Sequence, residues 1–343
     1  MKLGVRCQVS GIRRVLVCGL LTMVYGLFLI GYANGTVTTK GKITGYDDFG
    51  RKIVLAKAPE RIVLTSGTHI DAIFELGAGN KVVGIPNSVI RSSQPPFKSS
   101  YPETVRRYPS LLKKPTVGDF GNPNIEKIIS LNPDLIIIYD SADSQGKYSE
   151  VFEKRGLPYA AFCTAESVDF GLKQIKRLGI LLGKKKEAEK LVNRLKLEID
   201  KMAVQISSKA KNRPLVYYWW YGSGNGTYGK RAVLNELINV AGGINLAGEF
   251  DKQWFEISPE YVISRNPDVI IISYYQEDQR EESVKEIKTR PGFSQVKAVK
   301  NNQIYTINGS SLHSPLLFPE ALRNLAEFIH PEVFRHGGTE NEK

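Results

Sequence analysis

The feature that most constrains this chain is a module that occurs twice. Ile125 to Tyr139 reads IEKIISLNPDLIIIY, and Pro259 to Ser273 reads PEYVISRNPDVIIIS. Without a gap the two match at Glu126/Glu260, Ile129/Ile263, Ser130/Ser264, Asn132/Asn266, Pro133/Pro267 and Asp134/Asp268, and at the isoleucines just beyond each aspartate. Each copy holds a cap (Asn124, Ser258), a helical turn with Glu in its first positions, an Asn-Pro-Asp break and an unbroken apolar run. Such a run suits a strand buried on both faces. Copies this far apart are too large for a solenoid repeat and predict two similar α/β lobes. Anything bound between such lobes meets pseudo-symmetric surfaces.

At 343 residues and 42% apolar, the chain has material for one or two substantial cores. Its first residues are of another kind. Arg13 and Arg14 precede an uncharged apolar stretch, Val15 to Ile30, which reads as an export signal with small residues at Gly31-Tyr32-Ala33 for cleavage. The run is also close to the length that spans a bilayer, so a retained anchor is the competing reading. Cys18 stands inside the run, misplaced for a lipoprotein cysteine. Either reading puts the remainder outside the cytoplasm, in a periplasm or on the outer face of the cytoplasmic membrane. Cys163 alone lies beyond this segment, so the exported part carries no internal disulfide and its cores must hold it. The net charge of +12 is spread rather than blocked and accompanies no nucleic-acid signature, which argues against a nucleic-acid partner. The expected divisions are a signal or anchor at 1–33, an N-terminal lobe at 34–167, a helical connector at 168–211, a C-terminal lobe at 212–335 and a loose tail at 336–343.

Gly41 to Ala58 alternates apolar and polar residues around Asp47-Asp48-Phe49-Gly50, a hairpin with its turn. The buried strand that follows ends in Thr65, Ser66, Gly67, Thr68 and His69. Ligands of open α/β sheets gather at the carboxyl ends of strands, which makes Thr68 and His69 candidates; a capping or solvent-facing imidazole is the alternative for His69. Residues 87–115 form a Ser/Pro-rich basic excursion over the surface. Lys184 to Lys211 carries a helical stripe of Leu191, Leu195, Met202 and Ile206. At ~1.5 Å per residue that helix reaches roughly 40 Å, enough to run from one lobe to the other.

The second lobe opens with LVYYWW and the glycine-rich GSGNGTYGK, which fits neither phosphate-binding glycine pattern. Trp219, Trp220, Tyr221 and Tyr228 cluster where the strand's core would have stopped, with core packing the competing reading for one or two of them. His313 stands in a loop after the last strand. Phe120 lies six residues before Glu126, and Trp254 six before Glu260; Tyr139 and Ser273 close the two matched strands. Aromatics facing across a cleft suit a flat, partly apolar ligand. An acid in a first helical turn gains about 0.3 to 1 kcal/mol from the helix dipole, which could account for Glu126 and Glu260. Their mirrored placement also suits docking onto arginines of a symmetric partner. There is no GxSxG, no HExxH and no paired Cys and His set, so no catalytic or metal site is assigned.

Together these segments resemble the extracytoplasmic substrate-binding proteins of ABC importers, of the class serving iron siderophores, haem and cobalamin. The resemblance runs from about Ile43 to Phe334. It rests on APERIVLTSGTHIDAIFELGAGNKVVGI, NIEKIISLNPDLIII, LNELINVAGGINLAG and WFEISPEYVISRNPDVIII. It implies two Rossmann-like α/β lobes with mostly parallel sheets, joined by one rigid helix, with a shallow ligand cleft between them. It implies a monomer without a resident cofactor, and Glu126 and Glu260 salt-bridged to arginines of a permease dimer that works with ATPase subunits. Phe120, Tyr139 and Trp254 match positions whose aromatics line the pocket of the cobalamin-binding relative. The chain departs from the pattern near Ser88, where an aromatic is absent, and in its arginines, with Arg91 and Arg231 the only isolated candidates. The implied cargo is a small-molecule metal chelate, with a ferric siderophore first, then a corrinoid, haem or a molybdate-type oxyanion. Readings of another class are a membrane-anchored ligand sensor and a metal-dependent enzyme.

Overall fold

A computed structural model of the chain describes residues 41–90, 99–119, 121–139 and 148–334. Phe120, Arg91, the N-terminal apolar segment and the C-terminal tail lie outside the described residues. The first hairpin pairs β1 (Ile43–Tyr46) with β2 (Lys52–Leu55). Asp47 closes its turn by accepting from the Phe49 and Arg51 amides.

The N-terminal sheet is built from β3 (Ile62–Leu64) and β4 (Val82–Gly84), followed by a small hairpin of β5 (Gly118–Asp119) and β6 (Asn122–Pro123). It is completed by β7 (Leu135–Tyr139) and β8 (Tyr159–Phe162). Its order is β4-β3-β7-β8, all parallel. The C-terminal sheet repeats the plan. It uses β9 (Leu215–Trp220), β11 (Ile244–Asn245), β13 (Val269–Tyr274) and β14 (Ile304–Asn308) in the parallel order β11-β9-β13-β14. A side ribbon pairs β10 (Gly226–Tyr228) with β12 (Trp254–Glu256).

The isoleucine runs of the repeat serve two layers at once, as strand alternation requires. In β7, Leu135 and Ile137 face a large core while Ile136 and Ile138 face an outer cluster with Phe152 and Tyr159. In β13, Val269 and Ile271 face the same large core while Ile270 and Ile272 face a second outer cluster with Trp219 and Phe293. The large core therefore runs through both lobes.

Among the helices that pack into that shared core are the two of the connector. Val168–Leu181 starts at Ser167, whose side chain accepts from the Phe170 amide, and ends before Gly183, which has a φ of +68°. Lys185–Lys209 follows, burying Ala188, Leu191, Val192, Leu195, Ile199, Met202 and Ile206 at i, i+3, i+4 and i+7 spacing. Each fully buried leucine or isoleucine contributes on the order of 2 kcal/mol of hydrophobic stabilisation. Polar ties join the lobes beside these helices. The Val168 amide donates to Glu236 at 2.8 Å, Arg231 meets Glu166 at 3.6 Å, and Arg107 meets Glu320 at 3.5 Å. Among the described residues no helix is long and apolar enough to cross a membrane.

Candidate functional site

The carboxyl ends of β3, β7 and β8 make one wall. Beyond β3 the Ser66 and Thr68 hydroxyls lie 3.0 Å apart, and the half-buried Tyr101 brings its hydroxyl within hydrogen-bonding reach of both. Tyr139, at the end of β7, is hydrogen-bonded through its hydroxyl to Thr164. Burial raises the Tyr101 phenol above its ordinary range, which keeps it a neutral hydroxyl at physiological pH.

His69 is buried beside the end of β8. It is 2% exposed, its ring stands 4.9 Å from that of Phe162, and Gln174 reaches it from the helix Val168–Leu181. Burial lowers its pKa to about 4, against the opposing pull of Asp48 and Gln174, so the imidazole is neutral. Asp48, Gln174, Arg177 and the Cys163 amide form the adjoining hydrogen-bonded knot, which fastens the first hairpin to the lobe. His69 thus occupies the N-cap position of the helix Ile70–Glu75 with its ring packed against this knot, making no side-chain capping bond and not facing solvent.

The second wall is formed by the C-terminal lobe, and here the period-2 geometry of β9 sorts the aromatics. Trp219 faces the outer cluster. It is 1% exposed, donates from Nε1 to the Gly224 carbonyl at 2.9 Å, and carries the Arg290 guanidinium 4.0 Å above its ring. Tyr221 meets it edge-on at 5.6 Å. The sequence reading grouped these two with Trp220; the structure separates them from it.

Trp220 instead gathers the other rings. Tyr228 lies parallel to it at 6.4 Å, Trp254 stands edge-on at 6.2 Å, and Tyr275 is tilted at 5.8 Å. Tyr228 extends the group to Tyr218 at 5.5 Å and to His313, whose Nε2 is 3.3 Å from the Tyr228 hydroxyl. Trp254, directly across from Tyr228 in the β10/β12 register, is 44% exposed and forms the rim. Burial lowers the His313 pKa to about 4, so this imidazole too is neutral.

The phenols of the two walls lie near enough to act on one another. Burial pushes the Tyr228 phenol well above its ordinary range, and the nearby phenols of Tyr218 and Tyr139 add to the effect. Tyr275 is raised in the same way, by burial and then by Tyr228, Tyr101 and Tyr139. Tyr101 and Tyr139 come from one lobe, Tyr228 and Tyr275 from the other. Tyr101, Tyr218 and Tyr275 were not singled out from the sequence. Tyr275 had a usable signal: it lies two residues past Ser273, the counterpart of Tyr139, and just beyond the carboxyl end of β13, where ligands of open α/β sheets gather.

Among the described residues, the cations that lie over aromatic faces of this lobe belong elsewhere, Arg290 over Trp219, Lys252 over Phe255 and Arg265 over Tyr261, all rings of the outer cluster. Arg231, an isolated candidate in the sequence, pairs with Glu166. Among the described residues no cluster of His, Cys, Asp or Glu could hold a metal ion. Glu126 and Glu260 are exposed in the first turns of Ile125–Ser130 and Pro259–Arg265. Both helices are capped alike, Asn124 accepting from the Lys127 amide and Ser258 from the Tyr261 amide.

Two α/β lobes with parallel sheets about a shared core, with an aromatic group at the carboxyl ends of their strands, have the architecture of a two-lobed binding protein. The chain belongs to the periplasmic binding protein family, whose sequence profile matches residues 62–310. It is 26% identical over 298 residues to the uncharacterised ABC transporter substrate-binding lipoprotein YvrC of Bacillus subtilis, spanning 85% of this chain and 87% of the relative. It is 26% identical over 236 residues to a cobalamin-binding protein of Halobacterium salinarum, spanning 67% of this chain and 58% of the relative. The solved periplasmic haem-binding protein RhuT of Roseiflexus superposes with a TM-score of 0.67 at 25% identity, covering 80% of this chain and 99% of that one. The chain is accordingly the substrate-binding component of an ABC importer, an exported protein of a kind that works with permease and ATPase components.

Proposed function

We propose that the cargo is a flat metal chelate of the tetrapyrrole class, a corrinoid or a haem, held between the two walls and delivered to a membrane permease without chemical change. The observation that carries this reading is the grouping of Trp220, Tyr228, Trp254 and Tyr275 on one lobe opposite Tyr101 and Tyr139 on the other. Rings and neutral hydroxyls offer broad apolar contact with a few hydrogen bonds, which suits a large conjugated ring. A molybdate-type oxyanion or a strongly anionic ferric siderophore gains most from charge-assisted bonds to arginine. The sequence ranked the siderophore first; the chemistry of the walls moves the tetrapyrrole ahead of it. The relatives include cobalamin-binding, haem-binding and molybdate-binding proteins, and the order rests on the chemistry of the walls.

Glu126 and Glu260 are proposed as the docking points for the two permease subunits, with the binding protein acting as a monomer. Their exposure and matched capping support that role.

The test is tryptophan emission of the purified protein, titrated with cyanocobalamin, haemin, a ferric siderophore panel and molybdate. Two of the three tryptophans, Trp220 and Trp254, belong to the cleft group. Saturable quenching by a tetrapyrrole at low micromolar concentration is expected. Quenching by a siderophore or by molybdate alone would move the assignment to that ligand.

A further inference from the structure

Three rings of the cleft rest on glycines. A Cβ placed on Gly67 would stand 2.4 Å from Cε2 and Cζ of Tyr101. One on Gly309 would stand 2.6 Å from Cζ and 2.8 Å from the hydroxyl oxygen of Tyr275. One on Gly226 would stand 2.9 Å from Nε1 of Trp254 and 2.2 Å from Oγ of Ser223. Non-bonded carbons in contact ordinarily sit about 3.5 to 4.0 Å apart, so a methyl group at any of these positions and the ring cannot share the space. None of the three glycines has the left-handed backbone that would by itself require glycine. What each provides is clearance.

Their places in the fold connect the clearance to the cleft. Gly67 follows β3 and Gly309 follows β14, both at carboxyl ends of strands, and Gly226 opens β10 beside the Trp254 strand. The seated rings come from both walls, Tyr101 from the N-terminal lobe and Trp254 and Tyr275 from the C-terminal lobe. The two tyrosine rings lie against the glycines over several ring atoms, and Trp254 meets the Gly226 side through Nε1, beside Ser223.

We propose that Gly67, Gly226 and Gly309 are positioning residues that set the width of the cleft, and thereby which ring-shaped ligands it admits. This rests on the tetrapyrrole reading given above. An alanine at 309 drives the Tyr275 ring off its seat toward the opposite wall, and an alanine at 67 does the same to Tyr101 from the other side. An alanine at 226 swings the Trp254 rim.

The experiment takes the full chain, Gly309→Ala and Gly67→Ala, each crystallised without ligand and each assayed by equilibrium dialysis against cyanocobalamin and haemin. Gly309→Ala is also made on a Tyr275→Ala background. In the ligand-free crystals the Tyr275 or Tyr101 ring is expected to be displaced, with the adjoining strand ends unmoved. Binding of the tetrapyrrole that wild type takes should fall at least tenfold while the thermal midpoint stays close to wild type. Once Tyr275 is truncated, adding Gly309→Ala should cause no further loss, because the two substitutions act through one contact. Rings left in place, or full affinity in both glycine variants, would overturn the proposal. If wild type binds neither compound, the tetrapyrrole reading fails, and the ring positions in the ligand-free crystals decide the glycine proposal on their own.

Discussion

Asn132 and Asn266, one in each lobe, share a left-handed backbone, with φ of 44° and 50°. Each ends the short helix of its repeat copy and is followed, after a proline, by an aspartate that ties the start of the neighbouring strand. Asp134 accepts from the amides of Glu60 and Arg61 at 2.8 and 2.9 Å, leading into β3. Asp268 accepts from the Leu215 amide at 2.9 Å, at the start of β9, and pairs with Lys297. The Asn-Pro-Asp motif is thus a joint that turns the chain and registers two strands, and it is duplicated because the lobe is.

From this joint, Asp134→Ala and Asp268→Ala should each destabilise folding by about 1 to 2 kcal/mol, the usual cost of leaving amides without their acceptor. Urea denaturation checks this. The midpoint should drop with little change in slope, and ligand affinity should hold.

Trp219 and Trp254 should part company under substitution. Trp219→Ala removes a buried core ring and should cost about 3 to 5 kcal/mol of stability. Trp254→Ala, on the exposed rim, should leave stability nearly unchanged and lower ligand affinity by about 1 kcal/mol or more. Parallel thermal melts and ligand titrations separate the two outcomes.

This contrast shows what the sequence could and could not reveal. The apolar runs after Asp134 and Asp268 announce buried parallel strands, and the matched glutamates and capping residues announce two like lobes. In LVYYWW, however, every residue is apolar or aromatic, so no alternation tells which face Trp219 takes and which Trp220 takes. His69 sits at a strand end, where ligands gather, but its place is decided by Phe162 and Gln174 from distant segments. Tyr101 comes from a Ser/Pro-rich excursion whose composition gives no sign that its ring lies over Gly67.

His69 also predicts a pH dependence. Its pKa is about 4 in the folded protein against an ordinary 6.5. Between those values the unfolded chain takes up a proton that the folded chain does not, so this contribution is complete above about pH 6.5 and is lost as pH falls toward 4. The loss is on the order of 2 to 3 kcal/mol. Thermal midpoints measured across that window should fall on acidification, and His69→Gln should flatten the fall.

Glu126→Ala combined with Glu260→Ala should weaken capture by permease-containing proteoliposomes and leave ligand affinity as in wild type, because both carboxylates are exposed and lie outside the aromatic group. An equal loss of ligand binding would place the glutamates in the cleft instead.

The most direct test of the central claim is equilibrium dialysis of the purified full chain against cyanocobalamin and haemin, with Trp220→Ala alongside. One-to-one binding of at least one of the two is expected, with a clear loss of that binding when Trp220, the ring that contacts Tyr228, Trp254 and Tyr275, is removed. Binding of neither tetrapyrrole, or binding indifferent to Trp220, would contradict it.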